Sequence, residues 1–95
     1  MLFLKLKPGD KIHLIADNAE VLAKLEMASL KPLRLKILDS VAGVAIRPIN
    51  HAAFYLMRGE AVLCHFRHMR FKTGVRVGCD SAPGVRIWRV RSIRP

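Results

Sequence analysis

Acidic residues are scarce in this chain of 95: 7 Asp and Glu stand against 17 Lys and Arg, a net charge of +10. The few carboxylates are scattered, so no pair is placed for acid–base catalysis. There is no Gly-rich phosphate loop and no Gly-x-Ser-x-Gly, which leaves an enzyme without a readable motif. Cys64 and Cys79 are the only cysteines, too few for a disulfide framework, and they read as reduced, packed thiols. No apolar run reaches the ~18 to 20 residues that span a bilayer. The opening, MLFLKLKPGDKI, has lysines inside its apolar stretch and no small-residue cleavage site. A cytoplasmic protein is therefore expected.

What is present is apolar and basic together. Hydrophobic residues make up 52% of the chain, which argues for one folded domain over residues 1–95 rather than a charged tail. The charge gathers at the C-terminal end. From Leu63 onward, Arg67, Arg70, Lys72, Arg76, Arg86, Arg89, Arg91 and Arg94 face one acid, Asp80. These cations alternate with Val, Ile, Phe and Trp in strand-like stretches. Arginine is a permanently charged planar fork that pairs with phosphate and stacks on bases, so such a surface suits nucleic acid. A merely solvated basic face is the plainer alternative.

Periodicity predicts mostly strands. Leu2 to Lys7 alternates, Pro8-Gly9-Asp10 is a turn, and Lys11 to Ala16 resumes with Ile12 and Leu14 inward. Asp17 or Asn18, with Glu20, reads as the cap of a short helix over about 17–30, with Val21, Leu22, Leu25 and Ser29 on one face and Pro32 ending it. Strands follow at Leu33 to Leu38, Val44 to Arg47 (stopped by Pro48), Ala53 to Met57, Ala61 to Phe71, Val75 to Cys79 and Val85 to Arg91. The predicted fold is mainly β (α+β), a small antiparallel sheet or barrel-like sandwich with one inserted helix. A weak internal repeat sets Gly43 over Gly74, with hairpin units at about 33–60 and 63–93.

The run Met1-Leu2-Phe3-Leu4-Lys5-Leu6-Lys7-Pro8-Gly9-Asp10-Lys11-Ile12-His13-Leu14 resembles the opening of the carbon storage regulator (Csr/Rsm) family. Val75-Arg76-Val77-Gly78-Cys79-Asp80-Ser81-Ala82-Pro83 is similar to that family's Val-Arg-Ile-Gly-x-x-Ala-Pro stretch with one residue inserted. Ile87-Trp88-Arg89 falls where the family has an aliphatic-His-Arg triplet. The resemblance implies an interlocked β-rich homodimer, the first strand of one protomer beside the last strand of the other. It also implies binding of GGA-containing hairpin loops in messenger RNA and translational regulation. Lys7 would be the basic residue before the Gly-acid turn, and Arg89 or, by a competing alignment, Arg58 the arginine of the last strand. Leu6 stands where the family has an RNA-contacting arginine. A partly duplicated chain that completes the dimer-like sheet alone is the other arrangement.

The RNA-binding set is thus Lys5, Lys7, Arg58, Arg76, Arg86, Arg89 and Arg91. Arg89 and Arg91 share one strand face about 6.6 Å apart, close to one nucleotide of extended backbone, and an arginine fork pairs with guanine O6 and N7. Trp88, on the opposite face beside Arg86, reads first as a core anchor and second as a base-stacking group. Cys64-His65-x-x-His68 lacks the paired ligands of a structural zinc site, so no metal, cofactor or small-molecule substrate is expected. Two other partners suit the same basic strands. One is an acidic protein bound by a small phage-type inhibitor or adaptor. The other is duplex DNA read by a β-ribbon, since no helix-turn-helix pair is visible.

Overall fold

Period-two alternation extends further than the sequence pattern indicates. A computed structural model describes residues 1–90, and among them every regular element is a strand. These are β1 (Leu2–Leu4), β2 (Lys11–Ala16), β3 (Val21–Leu30), β4 (Leu33–Ser40), β5 (Val44–Asn50), β6 (Ala53–Arg58), β7 (Ala61–Phe71), β8 (Gly74–Ser81) and β9 (Val85–Val90). They form two antiparallel sheets, one ordered β1-β8-β7-β6-β5 and the other β4-β3-β2-β9. The mainly β class holds. No helix among these residues is long and apolar enough to cross a membrane.

The expected helix over 17–30 is instead a turn and a strand. Ala23, Leu25 and Met27 are buried while Lys24 and Glu26 between them are not. That spacing fits a strand face as well as a helix stripe, and pairing with β2 on one side and β4 on the other decides it. The apparent helix cap builds the turn. Asn18 Oδ1 accepts the Glu20 N–H at 3.1 Å, Ala19 takes a φ of 67°, and the Ala16 N–H reaches the Glu20 carbonyl at 2.8 Å. Pro48 likewise does not stop its strand. β5 lies at a sheet edge, where a missing N–H costs no ladder bond, and the register shifts between Pro48 and Asn50.

The inward residues of both sheets make one core. Ile12, Leu14, Leu25, Met27 and Leu35 come from one sheet, and Phe54, Leu56, Phe66, Val77 and Cys79 from the other. Phe54 and Phe66 stack with ring centroids 5.0 Å apart. Cys64 and Cys79 are buried free thiols. Burial, chiefly, raises the Cys64 thiol well above its ordinary 9.0, and pushes Cys79 up to about 12. The folded protein therefore keeps protons that the unfolded chain releases, and stability falls as pH rises above 9.0. Neither thiol should react with a disulfide reagent at pH 8 until denaturant is added; rapid labelling of the native protein would contradict this burial.

The strand register relates two units, residues 11–50 and 53–90. Each has a three-strand meander, β2-β3-β4 or β6-β7-β8, and a fourth strand, β5 or β9, on the sheet containing the other unit's meander. Leu14 pairs with Ile87 as Leu56 pairs with Ile46. Leu25 pairs with Ile37 as Phe66 pairs with Cys79. The hydrogen bonds outside the ladders repeat too. Met27 N–H to Asp10 O is matched by His68 N–H to Ala52 O, both 2.8 Å, and Asp17 N–H to Gly84 O by Gly59 N–H to Gly43 O, both 3.1 Å. Gly43 thus corresponds to Gly84, each at the left-handed φ that its turn requires (83° and 82°). The relation differs from the Gly43-over-Gly74 repeat read from the sequence.

Candidate nucleic-acid interface

Among the described residues β9 is an edge strand, paired with β2. Its burial alternates with Val85 and Ile87 turned toward the core and Arg86 and Trp88 toward solvent. Trp88 is 63% exposed, so the core-anchor reading of the indole is overturned. Its side chain belongs to the outer face because Ile87 takes the inward position against Leu14. Cross-strand pairing extends this face. Trp88 lies opposite His13, which lies opposite Lys24, while Arg86 lies opposite Ile15 and Val90 opposite Lys11. Burial, and then the Lys24 ammonium, lower the His13 pKa from 6.5, favouring the neutral imidazole opposite Trp88.

The end of the β2–β9 pair is held by one carboxylate. Asp10 Oδ2 accepts the Lys7 backbone N–H at 2.9 Å and the Arg89 Nη2–H at 3.1 Å. The tight turn after Lys7, closed by the Asp10 N–H on the Lys7 carbonyl at 2.9 Å, sets that geometry. Lys7 and Arg89 are therefore neighbours, though far apart in sequence. Arg89 remains 42% exposed, and a pair this open adds ~1 kcal/mol or less to stability. Leu6 is buried at 3% and cannot contact a ligand, whereas Lys5 and Lys7 on either side of it are exposed.

The other residues of the sequence-based set separate. β1 ends at Leu4 and pairs with β8, not with β9, so Lys5 and Lys7 lie in the connection to β2. Arg58 is exposed at the end of β6 in the five-stranded sheet, and the register counterpart of Arg89 is Pro48, not Arg58. Arg76 is half-buried on β8, and its Nη1 donates to the Val75 carbonyl at 3.0 Å. Arg91 lies outside the described residues. Arg86, Lys11, His13 and Lys24 share the outer face of Trp88, whereas Arg89, opposite the buried Ile12, has the parity of Ile87 and meets the Lys7 backbone at Asp10. Lys11 and His13 were readable from the alternation of β2. Lys24 was hidden by reading its strand as a helix.

Among the described residues no group of three His, Cys, Asp or Glu could hold a metal ion. Comparison with protein-family models, curated proteins and solved structures finds no match for this chain.

Proposed function

We propose that this chain binds single-stranded or hairpin-loop RNA across the β9–β2 face and acts, without catalysis, as a cytoplasmic post-transcriptional regulator of the carbon storage regulator kind. One observation carries the reading: the chain's single tryptophan stands 63% exposed on an edge strand, with Arg86 on its face, Arg89 next along the strand and His13 opposite. An exposed indole offers a π-face to an unpaired base, and the cations around it hold phosphates. The Lys7 backbone N–H and the Arg89 side chain meet on Asp10, which supports the resemblance, because Lys7 and Arg89 or, by the competing alignment, Arg58 are the basic positions it singles out. The strand exchange between units 11–50 and 53–90 supports it as well, since one chain contains the interlocking implied for two protomers.

The proposed stoichiometry is one site on one chain. Arg47 and Pro48 are the register counterparts of Trp88 and Arg89, so the other flank carries an arginine in place of the indole and a proline in place of Arg89. A homodimer, the other arrangement under the resemblance, would double the chain mass in light scattering. The functional test is binding of a labelled hairpin RNA with GGA in its loop, against a scrambled loop and a DNA duplex, across a salt series. Loop-dependent binding that falls at least about tenfold in Arg89→Ala is expected. Equal, steeply salt-dependent binding to all three would reduce the surface to a generic polyanion binder. Unchanged affinity in Arg89→Ala would remove that arginine from the site.

A further inference from the structure

The two units differ at one place. β8 has β1 hydrogen-bonded along its outer edge, with Leu2 opposite Cys79, Phe3 opposite Gly78 and Leu4 opposite Val77. β4, the counterpart of β8, is the last strand of its sheet and has no such neighbour among the described residues. At its start the Leu33 N–H is tied to the His51 carbonyl at 2.8 Å. Beyond that point the edge runs beside a cavity of about 460 Å³, floored by Leu33, Leu35, Ile46, Pro48 and Phe54. On the other flank, Met1, Leu2 of β1 and Ile87, the counterpart of Ile46, line a smaller cavity of about 190 Å³. The larger cavity reaches Leu35, the position a counterpart of Leu4 in β1 would face.

We propose that the β4 edge accepts an extended segment of a partner protein as a fifth strand, and that this segment alternates aliphatic and acidic residues. The register fixes the pattern. Val77, Gly78 and Cys79 correspond to Leu35, Lys36 and Ile37 of β4. An antiparallel guest therefore sets aliphatic side chains opposite Leu35 and Ile37, as Leu4 and Leu2 do on β8, where alternate residues enter the groove. The residue between them stands where Phe3 stands, but it meets Lys36 in place of Gly78. Arg34 and Lys36 are both exposed on this strand, and Arg34 also lines the groove. Glu26 is the register partner of Lys36 on β3, with no ion pair formed between them. An acid at the middle position of the guest is favoured by both cations. The inference is independent of the RNA reading, since β4 and β9 are opposite edges of the sheet.

The test uses the full chain and an acetylated, amidated peptide Glu-Leu-Glu-Leu-Glu-Leu-Glu, with its Lys-for-Glu counterpart and a version N-methylated at alternate amides. Amide shifts in nitrogen-15 spectra should map to Leu33–Ile37 and to Ile46, with the acidic peptide binding at least tenfold tighter than the basic one. Methylation should abolish binding, because the side chains remain while the ladder cannot form. The variant Arg34→Glu with Lys36→Glu alters only exposed side chains and should reverse the preference. Equal binding of the methylated peptide, shifts confined to the β9 face, or no binding at millimolar peptide would overturn the proposal. So would self-association through β4 that the acidic peptide fails to compete.

Discussion

Trp88→Ala should weaken binding of a GGA-loop RNA by about 2 kcal/mol, or roughly thirtyfold, and leave the unfolding midpoint unchanged. Binding and stability separate because the indole is 63% exposed. Little of its area is buried by folding, so truncation opens no cavity, and surface substitutions of this kind stay within ~0.5 kcal/mol. A bound base would cover that area, adding stacking on the ring to the loss of water from it. Two further readouts belong to the same experiment. Trp88→Phe keeps a smaller π-face and should recover part of the affinity. The salt dependence of Trp88→Ala should match that of the unaltered protein, because an indole neutralises no phosphate, whereas Arg86→Ala should lower the salt slope by about one. Tryptophan fluorescence reports the contact directly, since Trp88 is the only emitter of its kind. RNA that binds without quenching it, and with undiminished affinity in Trp88→Ala, would remove the face from consideration.

The same residue shows what the sequence conveys and what it conceals. Alternation in Val85-Arg86-Ile87-Trp88 put Trp88 on the face of Arg86, and the strand has that parity. It could not say which face looks inward, because Ile87 and Trp88 are both able to fill a core. The pairing of Ile87 with Leu14 decides it. The helix at 17–30 failed for a related reason. Leu, Ala, Lys, Glu and Met are good helix formers, and the apolar positions there satisfy both periods. Neighbouring strands on both sides overrode local propensity. Pro48 read as a breaker because an edge position is a property of the sheet, not of the residue. The turn at Gly9 was readable because it needs a positive φ that glycine adopts without strain. The repeat was visible but misaligned. Its true correspondence links Leu25 with Phe66 and His13 with Tyr55, pairs alike in position and unlike in chemistry. Lys7 and Arg89 met through a turn and a long-range register, which no local pattern encodes.

Phe66→Ala should be the most destabilising of these changes, by about 3 to 5 kcal/mol. Phe66 is 0% exposed at the centre of β7, with Phe54 and Cys79 as its register partners, and its ring stacks on Phe54. Removing it leaves a cavity walled by two paired strands, which cannot collapse without breaking their ladders. A domain of this size is stable by ~5 to 15 kcal/mol, so roughly a fifth or more of the total is at stake. The midpoint of thermal unfolding should fall by at least about 12 °C. Leu25 is its counterpart in the other unit, also 0% exposed, and Leu25→Ala should cost about 2 to 5 kcal/mol. Phe71→Ala supplies the contrast. That ring is 40% exposed and meets Phe3 edge-on at 5.2 Å, so its loss should cost ~1 kcal/mol or so. The comparison also tests whether the units depend on each other. Each unit's fourth strand completes the sheet built on the other's meander, and the inward residues form one cluster. Damage at Phe66 must therefore loosen β2 and β3 along with β6 and β7. Urea unfolding followed by Trp88 fluorescence, which reports β9, and by circular dichroism, which reports all strands, should give one coincident transition in each variant. Two separated transitions in Phe66→Ala would mean that the units fold apart and that the shared core contributes less than its burial indicates.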